Sequence, residues 1–367
     1  MTYAAQSEAL DRELLRLIEA WHQTEAPIGE VTFGDLAIRL LEYQLQHNLP
    51  YARYCARFGV TPVNLPPSWQ DIPATPAAAF KSATLATFDP AQASLCFETS
   101  GTSAGSGGRH FMETSALYDA SLLAAFDRFV LSDGARLRYF NLVPNPAERP
   151  HSSLGYMMRQ IADRRGDGNG GWYIAGDVLL VDAFLEEARA AISQRQAVCV
   201  TATAFALAHL LNELERRRVV LPLPAGSRVI ETGGFKGRAR IVERSELYAQ
   251  TCRAFAIPRS AVFSEYGMTE LSSQYYDAPE RSVRPEARRK AAPPWLRSRV
   301  VGADGATLPC GTVGALVHVD LANRSSCIAI ATEDLAVRFD DGLVIVGRER
   351  GAELRGCSLD AETLSPH

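Results

Sequence analysis

Apolar positions in the first 60 residues recur at helical spacing. Leu10, Leu14, Leu15, Leu17 and Ile18 form one stripe, and Leu36, Leu40, Leu41 and Tyr43 a second, which predicts amphipathic helices. Prolines at 62, 66, 67, 73 and 76 then break the pattern, so PSWQDIPATPAAAFK reads as turns and a short helix. From about residue 95 the period changes. The runs LCFE (95–98), RYFNLV (138–143), AVCVTA (197–202), RVIET (228–232) and AVFSEY (261–266) read as buried strands. Helical stretches at 114–130, 181–194, 203–217 and 242–255 separate them. Apolar strands alternating with helices predict an α/β layered core with a largely parallel sheet. After about residue 295 the texture becomes strand and turn (RSRVV, GALVHVD, CIAIA, LAVRF, GLVIV), with Asp-Gly at 304–305 and 341–342, predicting a small β subdomain. The expected organisation is an N-terminal helical region at 1–90, an α/β core at 91–290, a β subdomain at 291–350 and a tail at 351–367.

Composition narrows the function class. With 367 residues, 47% hydrophobic and 22% charged, the chain is long enough to bury a large core without disulfide or metal staples. A net charge of −4 gives no general attraction to nucleic acid or to an anionic membrane, and neither is expected as a partner. The seven cysteines are odd in number and scattered, with no CxxC pair, which argues against a zinc site or a disulfide framework. The opening MTYAAQSEALDREL carries acids where a signal peptide is basic and then apolar. No apolar run approaches the roughly 20 residues that span a bilayer. A reduced, cytoplasmic location is expected.

The candidate chemistry begins in the run 99–108. Its ten residues carry five hydroxyls and four glycines and stand between two β-like runs. Such a loop can wrap backbone N–H and hydroxyl donors around phosphate oxygens, although by itself it also has the texture of a surface linker. It lacks the GxxxxGK[ST] of the nucleotide triphosphatases. Farther on, EYGMTE places Tyr266, Gly267, Thr269 and Glu270 at the C-terminal end of a predicted strand, where open α/β sheets bind ligands. Tyr266 suits stacking on a base, Thr269 a bond to an α-phosphate, and Glu270 a carboxylate ligand for Mg²⁺. Gly233 and Gly234 also follow a strand and would admit a flat ring. Asp334, in TEDL, puts a carboxylate at a strand edge, suited to paired hydroxyls. Arg348 closes a further strand with a cation, and the stretch 281–299 is strongly basic.

In that order and spacing the set resembles the adenylate-forming superfamily of acyl-CoA synthetases, aryl-acid ligases and luciferases, over about residues 95–357. The resemblance implies the large α/β domain of those enzymes, with ATP and Mg²⁺ as cofactors and a carboxylic acid as substrate. Thr99, Ser100, Gly101, Thr102, Ser103 and Gly105 would form the phosphate loop, with Arg109 where many members have a lysine. Tyr266 would contact adenine, Thr269 phosphate, Glu270 magnesium, Asp334 ribose, and Arg348 ribose or phosphate. His151 lies where members often place an aromatic or histidine beside the carboxylate, or is a neutral structural histidine. The segment before Asp334 reads ATED rather than the commoner TGD.

Within the superfamily the chain is similar to the LuxE acyl-protein synthetases of bacterial bioluminescence, through FGDLAIRLLEYQLQHNLPYARYCARFGV, IPATPAAAFK, ETGGFKGR and RGCSL. In that family a cysteine near the C-terminus takes the acyl group as a thioester, and Cys357 matches it. Arg348, Arg350 and Arg355 nearby would favour its thiolate. The other six cysteines read mostly as core. The full mobile C-terminal domain of larger members, with its catalytic lysine, is not expected, and Lys236 is a positional candidate to replace that cation. The resemblance thus implies acid activation followed by transfer to Cys357, a carrier protein or CoA. The basic stretch suits an acidic carrier protein or an acyl-reductase partner. A free-standing amide-forming ligase and an inactive adenylation-fold binding module are the competing readings.

Overall fold

The computed structural model describes residues 3–99, 107–233, 243–278 and 288–348. Its first segment is helical because each helix has an apolar stripe. Helix α1 (Tyr3–Thr24) buries Leu10, Leu14, Ile18 and Trp21, close to one residue per turn. Helix α2 (Glu30–His47) buries Phe33, Leu36, Ala37, Leu40 and Leu41. Asn48 ends it and caps α3 (Leu49–Ala56), its side chain accepting from Tyr51 N at 3.2 Å, with Pro50 in the first turn. The proline-rich stretch holds β1 (Thr75–Pro76) and α4 (Ala79–Ser82). Strands β2 (Leu95–Glu98) and β3 (Arg109–Met112) pair antiparallel on either side of the hydroxyl and glycine run.

Strands and helices then alternate. In order come α5 (Ala116–Phe129), β4 (Arg138–Leu142), α6 (Ser153–Arg165), β5 (Gly171–Trp172), β6 (Ile174–Ala175), β7 (Val178–Leu179) and α7 (Val181–Ser193). They are followed by β8 (Val198–Thr203), α8 (Ala204–Arg216), β9 (Arg228–Thr232), α9 (Arg244–Phe255) and β10 (Val262–Tyr266). Short β11 (Tyr275–Asp277) and β12 (Lys290–Ala291) precede β13 (Leu296–Val301), β14 (Val313–Asp320), β15 (Ala329–Phe339) and β16 (Gly342–Arg348).

The chain divides into two compact units: Met1–Ala125 with Met268–Gln274 and Ala292–His367, and Phe126–Gly267 with Tyr275–Ala291. In the second unit the strand order is β5-β4-β8-β9-β10-β11-β12, parallel as far as β10 and antiparallel after it. The whole of β9 and all of β8 but its last residue are buried, as continuous apolar runs in a covered parallel sheet require. Phe140, Phe184, Val200, Leu207, Tyr248 and Phe255 belong to its core.

In the first unit, β13 to β16 form an antiparallel meander and β1 runs parallel to β15. Its helices are tied to the β14–β15 connection by buried polar side chains. Gln44 donates to Asn323 O at 2.8 Å and accepts from Ile328 N at 2.8 Å. Asn48 donates to Ser326 O at 3.2 Å. Arg324, 1% exposed, makes a two-point pair with Asp11 (2.7 and 2.8 Å) and reaches Glu113 at 2.5 Å. Among the described residues no helix is long and apolar enough to cross a membrane.

Candidate active site

In the first unit the phosphate-loop candidate has a closed neck. Thr99 N donates to Gly108 O at 2.8 Å, and Thr99 Oγ1 accepts from Gly108 N at 2.7 Å. A Cβ on Gly107 would lie 2.4 Å from Thr99 O, so only glycine fits that position. Ser100, Gly101, Thr102, Ser103 and Gly105 lie outside the described residues. Arg109 pairs across the neck with Glu98, and its exposed guanidinium sits over the Phe111 ring at 5.3 Å.

The next residue, His110, faces inward and is 1% exposed. Its Nδ1 lies 2.8 Å from Thr269 O. A carbonyl only accepts, so Nδ1 carries the proton. Burial pushes the imidazole down to about 4 and keeps it neutral. The segment around Glu270 is held from two further directions. Asn323 Nδ2 donates to Glu270 O at 2.9 Å. Asp320 accepts from Ser272 N (3.1 Å), Ser273 Oγ (2.8 Å) and Ala322 N (2.9 Å), and burial raises its carboxyl to about 6. Glu270 itself is buried.

Asp334 lies within β15 rather than at a strand edge, because β15 continues five residues past it to pair with β16. Arg348 is its register partner and donates from Nε to Asp334 Oδ1 at 2.8 Å. The structure therefore brings these two candidates together as a pair, with Arg348 largely exposed and Asp334 largely covered.

The second unit carries the others. Gly233 follows β9 with φ 73° and open space where a Cβ would stand. Thr232 and Glu265 are register partners on β9 and β10, and the Thr232 hydroxyl donates to the Glu265 carboxylate. Tyr266, at the end of β10, packs against Tyr275 with ring centres 5.7 Å apart. His151 stands exposed on the turn before Ser152, whose hydroxyl caps α6. Gly234, Lys236 and Cys357 lie outside the described residues.

Of the basic stretch 281–299, three described cations are engaged within the fold, while Arg281 and Arg284 lie outside the described residues. Arg288 and Lys290 are buried and both reach Asp277, at 3.0 and 2.8 Å. Arg297 pairs with Glu30 and lies over the Phe33 ring at 4.1 Å. These cations hold the fold together and do not form a basic face. The cysteine expectation also shifts: Cys55, Cys199 and Cys327 are buried, whereas Cys310 is exposed beside Asp340. Sequence reasoning passed over His110, Asp320 and Asn323. The available signal was a histidine among the apolar residues after the loop, and a DLANRSS turn too polar for a sheet connection it proved to bury.

No protein-family model matches the sequence, and no curated protein matches it. Solved structures are similar in fold. A 2-hydroxyisobutyryl-CoA ligase in the postadenylation state, in complex with 2-HIB-AMP, gives a TM-score of 0.65 at 14% identity, over 90% of this chain and 71% of that chain. McyG A-PCP complexed with phenylalanyl-adenylate gives 0.51 at 17%, over 72% of this chain and 42% of that chain. The ATP-bound RpMatB-BxBclM chimera gives 0.51 at 16%, over 71% and 49%. The chain thus spans less than half the length of the last two. The fold is that of the adenylate-forming enzymes.

Proposed function

We propose that this chain activates a carboxylic acid as its acyl-adenylate and passes the acyl group to a thiol. The observation that carries the reading is the glycine-closed loop neck, whose outgoing strand is bonded through His110 to the backbone of Thr269, on an adenylate-forming fold. In the first step a carboxylate oxygen attacks the α-phosphorus of ATP, the bond to the bridging oxygen breaks, and pyrophosphate leaves with that electron pair. Thr99, Ser100, Gly101, Thr102, Ser103, Gly105 and Arg109 would hold the triphosphate, and Thr269 the α-phosphate. Tyr266, Gly233 and Gly234 would take the adenine, Asp334 and Arg348 the ribose. His151 would face the carboxylate, and Lys236 would supply a further cation.

Glu270 is the residue that would hold Mg²⁺. Among the described residues no group of three or more histidines, cysteines, aspartates or glutamates could hold a metal. A single buried carboxylate fits a cation that arrives bound to the triphosphate. Bound there, Mg²⁺ offsets charge on the phosphate oxygens.

In the second step a thiolate attacks the acyl carbonyl, AMP leaves, and the thiol proton passes to solvent. The acceptor in this reading is Cys357, by likeness to the LuxE enzymes, with carrier pantetheine and CoA as the competing thiols. The test is acid-dependent ATP–pyrophosphate exchange across a panel of aliphatic and aryl acids, with intact-mass detection of the acylated chain. We expect exchange with at least one acid and a mass gain that Cys357→Ser abolishes while exchange persists. No exchange with any acid overturns the activation reading and leaves a binding module. Acylation that survives in the serine variant overturns the cysteine relay alone.

A further inference from the structure

We infer that His110 is a positioning residue that fixes the neck of the phosphate-loop run, Thr99 with Gly107 and Gly108, against the turn bearing Thr269 and Glu270. The inference rests on the activation reading above.

The two motifs are far apart in sequence, and in the first unit a buried side-chain bond links the strand leaving one to the backbone of the other. The loop neck is rigid at its base: Thr99 and Gly108 exchange two hydrogen bonds, and Gly107 admits no side chain. Gly108 is also pressed against Phe80, where a Cβ would come within 3.2 Å of its backbone. Two residues on, the β3 pairing of His110 with Phe97 turns the imidazole inward. Its Nδ1–H then meets Thr269 O at 2.8 Å, one residue before the carboxylate proposed to hold the cation.

Three features make this bond directional rather than incidental packing. The acceptor is a backbone carbonyl, so the bond sets the turn itself and not a side-chain rotamer. Burial keeps the imidazole neutral, which leaves Nδ1 as its one N–H donor. Phe80 packs edge-on to the ring with ring centres 5.8 Å apart. A cavity of about 10 Å³, room for one water, borders it at Met112, Tyr118, Ser272 and Arg324, so one side of the ring is packed and the other adjoins open space. Asn323 and Asp320 fix the following residues from the β14–β15 connection, whereas His110 bonds the strand leaving the loop neck to the turn.

The proposal separates donor geometry from shape. In His110→Asn the amide nitrogen can occupy the Nδ1 position. In His110→Leu the volume stays similar and the donor is lost. The readouts are pyrophosphate exchange kinetics and deuterium uptake of peptides covering Met268–Gln274, with thermal unfolding of each variant alongside. We expect His110→Leu to lower kcat ten- to hundredfold with the acid KM within twofold, and to speed uptake in that segment at least tenfold while α2 peptides are unchanged. His110→Asn should keep at least a third of the wild-type kcat and the wild-type uptake. An asparagine variant as impaired as the leucine variant, or a leucine variant with wild-type kcat and uptake, overturns the proposal. If the wild-type protein shows no exchange, the activation reading fails, and uptake decides the His110 tie without it: equal uptake in wild type and leucine variant rejects the tie.

Discussion

The two strand ends β9 and β10 and the segment Met268–Gln274 hold their candidate residues by different means. Tyr266 and Gly233 sit at the ends of neighbouring parallel strands, so backbone register places them, and the Thr232–Glu265 bond adds one cross-strand rung. Thr269 and Glu270 have no ladder. Side chains from β3 and the turn after β14, His110 and Asn323, bond their carbonyls, and Asp320 at the end of β14 holds Ser272 and Ser273 beyond them. Register distributes the work over many backbone bonds, so one side chain lost there is a small fraction of the total. A segment held by side chains, with Ser121 and Trp295 also bonded to Ser273, concentrates it in fewer bonds, and each buried partner left unpaired adds its own desolvation cost.

The largest test of that difference is Asp320→Leu. It strips acceptors from two backbone N–H groups and one hydroxyl, and we expect about 4 kcal/mol of lost stability in urea unfolding. A loss below 1 kcal/mol would show that the segment is held by shape. Next comes pH. Burial holds His110 near 4 and His318 near 3, both from an ordinary 6.5, so on acidification the unfolded chain binds two protons that the folded chain refuses. Asp320, raised from 3.8 to about 6, works the other way and binds one proton first in the folded chain. Among these three groups the net of one proton contributes a fall in stability of about 1.4 kcal/mol per unit as pH drops from 6 to 4. His47, also held down by burial, and Glu213, lowered to about 2 by Arg216, add to it in the same direction. Thermal unfolding across that range measures the slope, and His318→Phe should reduce it by about 1.4 kcal/mol per unit if the variant packs as the wild type does. The smallest effect belongs to the other region. Thr232→Val should cost about 1 kcal/mol and slow pyrophosphate exchange no more than about threefold, since the β9–β10 ladder survives it. A tenfold loss of exchange would mean that the rung, and not register, places Tyr266.

The same contrast explains what the sequence disclosed. Strands β4, β8, β9 and β10 and helices α7 to α9 were legible because burial on a sheet or along a helix stripe imposes a period on hydrophobicity, whereas the two-residue strands β5, β6 and β7 are too short to show one. The positions of Gly233, Tyr266 and Arg348 at strand ends followed from those runs. Gln44, Asn48, Asp320, Asn323 and Arg324 were not legible, because a polar side chain carries no mark of being buried until its partner is known. Those partners include residues such as Asp11 and Arg324, more than 300 positions apart. The burial of two cations of the basic stretch was hidden for the same reason: Arg288 and Lys290 belong to Asp277. Asp334 was placed at a strand edge because the run LAVRF does not show that β15 begins before it and includes it.

The closed neck at Thr99 and Gly108 has a consequence for how this loop can change. Because its ends are already joined, the residues between them form a ring whose closure entropy grows only as the logarithm of its length, about 0.6 kcal/mol per doubling. Length between the joined ends can therefore change at little cost to stability, while composition stays bound to the residues proposed to hold the triphosphate. Gly107, with no room for even one methyl group, is the fixed clasp around which that variation can occur.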